Sequence, residues 1–375
     1  MNARLQTYVS GNGDERRTLV VVFLRGGADG LAMVAPVQDA GYHKARPRIA
    51  LKEGDALRLD DFFALNPLLK ELKPLYDDGT LGIVHAAGSE DSTRSHFEAQ
   101  DLMEHGGMVA GGWLGRFLRF KTPAASGALS AIALGRALPE SLRGAPSVTV
   151  LRSLADFSFG RDSGRMQRTL ARLYEREDNT LGAAGRDTLG ALRRIEDLRR
   201  TPYRPAHGAE YEQGDYARGL QQIAQLIKAR VGLEAATLDL DGWDSHFQQS
   251  LLIDSRMVQL ARGLAAFTRD LGAMLASVTV VVLTEFGRRL FENASLGTDH
   301  GRGSVMFITG GGVQGGRVYG TWPGLTDDVL EGPGDLPVTT NYRDVLAPVL
   351  ARHGAADALA RIFPDHAPKP LALHG

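Results

Sequence analysis

Asp244-Ser-His246, Glu285 and Asp299-His300-Gly301 stand directly after or before short apolar runs in a chain with ten histidines and no cysteine. Carboxylates mixed with imidazoles, and no thiolates, are the donor set of hard or borderline divalent ions. Asp29 follows an earlier apolar run in "LVVVFLRGGADG", and "GSEDSTRSHFEAQD" adds His96 and the hydroxyls Ser92, Thr93 and Ser95. Two such ions roughly 3.5–4 Å apart clamp the attacking and leaving oxygens of an in-line displacement. A hydroxyl beside them has its pKa lowered and becomes a nucleophile. Arg94, Arg25 or Arg302 could then pair with the non-bridging oxygens of a phosphate or sulfate group.

Each of these residues also has an ordinary reading. Asp29 beside glycines is common turn chemistry. Ser95 and Glu98 fit the S-x-x-E capping box, which only starts a helix, although a helix start is also an anion site. Glu285 ends a strongly apolar run, where an unpaired carboxylate is costly to bury, so Arg288 or a metal must partner it. His96 could be a satisfied core histidine, and His43, His85 and His105 are left as structural. The choice depends on what brings these segments together.

The strand pattern supplies a common edge. Short β-branched or small-residue runs at 19–30, 79–91, 129–135, 146–151, 232–242, 277–287 and 304–312 alternate with helical patterns around 96–105, 247–272 and 342–353. Strand, glycine-rich or polar loop, helix, strand is the signature of an α/β fold with a mainly parallel sheet flanked by helices. Ligands of open α/β sheets bind outside the carboxyl ends of the strands, and that is where Asp29, Ser95, His96, Asp244, His246 and Glu285 fall. Asp299 and His300 precede the next strand. Residues 153–231 break the pattern: charged helices with interleaved signs, read as an insertion or cap within one domain spanning 1–375.

Composition narrows the partners. Lys+Arg number 43 and Asp+Glu 44, a formal net charge of -1, so no bulk basic field holds nucleic acid or an anionic membrane. Without cysteine there are no disulfides, thiolate nucleophiles or Fe–S clusters. No apolar run approaches the ~20 residues of a membrane span. Arg16 and Arg17 precede Leu19–Leu24, an apolar stretch too short for a signal core of roughly 7–15 residues. The expected compartment is cytoplasmic as given, or periplasmic if an export signal has been removed. "RGGADG" lacks the G-x-G-x-x-G spacing of a dinucleotide site.

The segments "VVVFLRGGADGLAMVAP", "GSEDSTRSHFEAQDLMEHG", "DGWDSHFQQ", "VVVLTEFGRRLFEN" and "GTDHGRGSVMFITGGGVQGG" together resemble the alkaline-phosphatase-like superfamily, and within it the domain of unknown function 1501 family. They cover roughly residues 18–320. The resemblance implies an alkaline-phosphatase-like fold. It implies a first metal-binding Asp at Asp29 and a nucleophile within "DSTRSH", with Ser95 favoured over Thr93 and Ser92. Asp244 and His246 look like a metal cluster, two apart where the superfamily usually has four. Glu285 would take the role of an Asp whose following His is absent here, and Asp299 and His300 would be further ligands. The implied activity is a metal-dependent hydrolase or transferase acting on a small-molecule or glycan phosphate or sulfate ester. Its ions would be one or two of zinc, manganese, iron or calcium, with Arg94 or Arg302 stabilising the transition state. The alternative is a non-catalytic metal- or anion-binding accessory protein on the same scaffold.

Overall fold

Thr18–Arg25 is apolar at nearly every position because both of its faces are covered, the mark of a central strand between two helical layers. The computed structural model describes residues 17–125, 127–156, 163–200 and 202–374, so Arg16 of the paired arginines lies outside the described residues. In chain order the strands are β1 (Thr18–Arg25), β2 (Val34–Ala35), β3 (Leu57–Arg58), β4 (Ala64–Leu65), β5 (Leu81–Gly88) and β6 (Ala131–Leu134). They continue with β7 (Thr149–Leu151), β8 (Ala235–Asp241), β9 (Val278–Thr284), β10 (Ser304–Gly310), β11 (Arg317–Tyr319) and β12 (Thr340–Asn341). Nine of them form one sheet in the order β11-β5-β10-β9-β1-β8-β6-β7, with β12 also on β5; β2, β4 and β3 form a small antiparallel sheet.

The large sheet is mainly parallel, as the strand-loop-helix alternation predicts. The exception is β10, antiparallel to both β9 and β5. One consequence matters for the site. The carboxyl ends of β5, β9, β1 and β8 share one edge with the amino end of β10, and pairings such as Arg25 with Asp241 and Leu24 with Thr284 level them.

Alternation along each strand splits the core. Val20, Val22 and Leu24 face the helices Asp215–Lys228 and Gln249–Leu271, while Leu19, Val21 and Phe23 face the helices Trp113–Phe120 and Tyr342–Leu350. Within 153–231, the helix Asp215–Lys228 packs on this core through Leu220, Ile223 and Leu226. The helices Ser163–Glu175 and Thr180–Arg200 pack mainly on each other. No helix among the described residues is long and apolar enough to cross a membrane.

His85 on β5 is fully buried and holds its neutral form with both ring nitrogens engaged. Nε2 bonds the Val34 carbonyl (2.9 Å), and Nδ1 accepts the Ala86 amide (2.8 Å). Burial pushes its pKa down from 6.5 to about 4. The unfolded chain therefore takes up a proton near pH 6.5 that the folded chain refuses until about pH 4. Stability rises with pH through that window and is lost as pH falls below 6.5. From pH 7 to pH 5 this one group should remove about 2 kcal/mol. Urea unfolding at both pH values, compared with His85→Gln, checks it: the variant should lose less.

Candidate metal centre

Three loops and one helix start bring the polar residues together, each fixed by local backbone chemistry. After β8, Trp243 is fully buried and its amide donates to the Arg25 carbonyl (3.2 Å), which pins the loop to the end of β1. Gly26 faces that loop with φ +118°, and a Cβ there would stand 2.5 Å from the Asp244 amide, so only glycine permits the approach. After β9 the chain folds back on itself. The Arg289 amide bonds the Asp299 carbonyl (3.0 Å), Gly301 bonds Gly287 (2.9 Å) and Gly287 bonds Arg302 (2.8 Å), returning Asp299 and His300 to the sheet edge. The helix His96–His105 starts after β5 and supplies His96.

Three imidazoles then face one carboxylate. His96 Nδ1 donates to Glu285 Oε1 (2.8 Å), His246 Nδ1 to Asp299 Oδ1 (3.0 Å) and His300 Nδ1 to the Arg94 carbonyl (2.8 Å). With each Nδ1–H committed to an oxygen that can only accept, each neutral ring presents an Nε2 lone pair. Those lone pairs converge on Asp244. His246 Nε2 lies 3.2 Å and His300 Nε2 3.4 Å from Oδ1, and His96 Nε2 lies 3.5 Å from Oδ2. The Nε2 atoms of His246 and His300 are 2.9 Å apart. His96 Nε2 is buried and has no partner.

Acceptors gathered this closely repel unless a positive centre lies among them. Burial, with the Arg288 charge adding to it, pushes the His300 pKa below its ordinary value, so a proton there is disfavoured at neutral pH. Burial alone would raise the Asp244 carboxyl, but the Arg288 guanidinium, 2.6 Å from Oδ1, and the histidines hold it below the usual range. Donor atoms of His96, Asp244 and His300 lie within 4.8 Å of one another, and the oxygens behind the rings fix their tautomers as the outer partners of metal-bound histidines do. The residues fit a divalent cation.

The remaining expected residues take other positions. Glu285 and Asp299 sit behind the rings of His96 and His246 and orient them. Burial works against Glu285 ionisation, yet His96, Gln100 and the Gly26 amide keep its pKa low; Asp299 is lowered chiefly by His246. Asp29 is not brought to the cluster: it is fully buried and bonded to Arg46, Gln249 and the Leu31 amide. Arg288, one of the two partners expected for Glu285 beside a metal, instead binds Asp244 and the carbonyls of Gly26, Gly27 and Thr298. Arg94 pairs with Asp335 (2.5 Å), Arg302 with Glu331, and Arg25 with Asp239 (2.7 Å) and Glu104 (2.9 Å), so each guanidinium already has a carboxylate. The expected capping box does not form. Ser95 makes no side-chain cap bond, and Glu98 instead accepts from the Thr93 hydroxyl (2.6 Å).

An orienting role for Asp299 is distinguishable from a ligand role. Asp299→Ala should weaken metal affinity by about 10–100-fold and still reach the wild-type stoichiometry at saturation. Metal titration of the purified variant reads both quantities. A stoichiometry that falls with no recovery at high metal would make Asp299 a ligand.

Among solved structures, the chain is similar to the zinc complex of the C-terminal periplasmic domain of EcEptC from Escherichia coli. The TM-score is 0.36 at 10% identity, over 80% of this chain and 74% of that one. A 2-O GAG sulfatase gives 0.36 at 9% over 96% and 73%, and the alkaline phosphatase of the Antarctic bacterium TAB5 gives 0.23 at 10% over 80% and 93%. Likenesses at these scores carry no conclusion about the site. No curated protein matches the chain. The sequence pattern of one family, described as "Protein of unknown function (DUF1501)", matches residues 91–358, a span from the loop before His96 to beyond β12. The chain belongs to that family.

Proposed function

We propose that the protein is a metal-dependent hydrolase or transferase for phosphate or sulfate esters, on an alkaline-phosphatase-like scaffold. The observation that carries this is the convergence of three Nε2 lone pairs on Asp244, with every Nδ1–H already committed. His96, His246, His300 and Asp244 would hold one ion. Three nitrogens and a carboxylate suit zinc, manganese or iron, and suit calcium poorly. When bound, the ion supplies Lewis acidity toward an ester oxygen and lowers the pKa of a nearby hydroxyl.

The chain's own groups would do the rest. Ser95 lies between Arg94, whose carbonyl orients His300, and His96, and its hydroxyl does not cap the helix it precedes. That leaves the hydroxyl available as the nucleophile, with Thr93 as the second choice. The positive end of the helix His96–His105 favours the anionic group of the ester. Ser95 Oγ would bond to phosphorus or sulfur as the organic alcohol leaves, and water would then release the inorganic anion. Phe286, packed against the rings of His96 (4.9 Å) and His300 (4.8 Å), shields one side of the cluster from solvent.

A second reading has its own support. Arg94 and Arg302, the guanidinium groups the sequence offers for transition-state charge, are both spent on carboxylates. That favours a metal- or anion-binding accessory protein without turnover. The test is metal content by mass spectrometry, followed by turnover of a panel of phosphate and sulfate esters by the loaded protein and Ser95→Ala. Turnover lost in Ser95→Ala with metal retained supports the hydrolase. Metal without turnover supports the accessory reading. No metal after reconstitution sinks both metal readings.

A further inference from the structure

We infer that Gln100 is a positioning residue for the metal centre: Arg25 aims its side-chain amide at Glu285, and Glu285 in turn holds His96 with Nε2 toward Asp244. The inference rests on the metal reading above. Gln100 Nε2 donates to Glu285 Oε1 (2.9 Å), the same oxygen that accepts His96 Nδ1 (2.8 Å) and the Gly26 amide (2.9 Å). Gln100 Oε1 accepts from Arg25 Nη1 (3.1 Å). A guanidinium only donates and an ionised carboxylate only accepts, so one orientation of the amide satisfies both neighbours. The flipped amide would set its NH2 against Arg25 and its carbonyl against Glu285, and both bonds would be lost.

The helix and the sheet edge keep this direction. His96, Gln100 and Glu104 stand four apart on the helix His96–His105 and so share one face. Glu104 Oε1 accepts Arg25 Nη2 (2.9 Å), and Asp239 on β8 accepts Arg25 Nε (2.7 Å). The guanidinium also lies over the Phe23 ring, 4.5 Å from its centroid. Arg25 cannot turn from Gln100 without straining its bonds to both carboxylates. Its carbonyl receives the Trp243 amide, in the loop that carries Asp244. One residue at the end of β1 therefore braces both the His96 side and the Asp244 side of the centre. Without Gln100, Glu285 Oε1 loses one of the donors that hold it at the His96 ring. The neutral ring is then released to the other tautomer, whose Nε2–H faces Asp244 and offers no lone pair there.

Gln100→Leu removes both bonds without adding a charge, and Gln100→Met repeats each measurement on a second variant. Long-range 1H–15N NMR of the histidine rings in the metal-free protein, at a pH where they are neutral, reads the tautomer directly. Wild type should show His96 protonated at Nδ1 alone, and Gln100→Leu should add the form protonated at Nε2. Zinc affinity, from competition with a chelator, should fall about tenfold at unchanged stoichiometry, the low end of what losing an outer partner costs. Glu285→Gln completes a double-mutant cycle. Adding Gln100→Leu to Glu285→Gln should change zinc affinity by less than about twofold, because Gln100 acts through Glu285. A residue that only docks the helix would cost the same factor in both backgrounds, and that additivity overturns the inference. A His96 tautomer untouched by the substitution overturns it as well. Wild type and Gln100→Leu binding zinc equally removes the positioning role and leaves the metal reading standing; wild type binding no zinc overturns both.

Discussion

His300→Ala should yield a folded protein that no longer retains metal. His300 contributes one of the lone pairs around Asp244, and its ring also separates His96 from His246. Removing a donor costs more than the ~10–100-fold lost when an outer partner is removed. The structural cost is small by comparison. The ring is half-buried, and its one fixed bond is to the Arg94 carbonyl, worth about 1 kcal/mol. The two effects separate in one experiment. Saturating metal at about 100 times Kd stabilises a native state by about 2.7 kcal/mol. Wild type should therefore melt higher with metal than without it. His300→Ala should melt close to the metal-free wild type under both conditions and carry no ion after dialysis. One equivalent retained in the variant would move the centre away from His300.

The sequence makes the residue types at this edge legible and leaves their roles open. Runs such as Thr18–Arg25 and Val278–Thr284 declare themselves as strands because burial on both faces leaves few polar positions. The direction of β10 is not written in "SVMFITG", since an apolar run reads the same either way; its neighbours β9 and β5 decide it. β2, β3, β4, β11 and β12 are two or three residues long and leave no periodicity to read. At the site, the sequence offers Asp29, Asp244, Glu285 and Asp299 as equivalent carboxylates. What distinguishes them is the neighbour each meets: Arg288 and the imidazole edges for Asp244, one ring each for Glu285 and Asp299, and Arg46 for Asp29. Apart from His246, two residues from Asp244, those neighbours come from 17 to 189 residues away, beyond any local pattern. Arg46, inside "YHKARPR", carries no sequence signal of its role.

That pairing makes the opposite expectation for Asp29: its loss should cost stability and leave the metal in place. Both side chains of the Asp29–Arg46 pair are fully enclosed, with contacts of 2.6 and 3.1 Å. Arg46 also donates to the carbonyls of Leu290 and Arg289, and Asp29 accepts from Gln249, so the pair ties the end of β1 to the segment after β9. Asp29→Ala leaves a guanidinium buried without its counter-charge, a loss of about 3–5 kcal/mol. Against a total stability of about 5–15 kcal/mol, that is enough to shift the denaturation midpoint strongly. Replacing both partners with apolar residues, Asp29→Leu with Arg46→Met, should recover much of the loss, because the desolvation cost of two charges disappears with them. Urea unfolding of the single and double variants measures the energies, and metal titration of the folded protein measures the site. If Asp29→Ala kept its stability and lost the ion, the carboxylate would belong to the metal after all. Stability lost with stoichiometry kept makes the pair a clamp on the segment that carries His300.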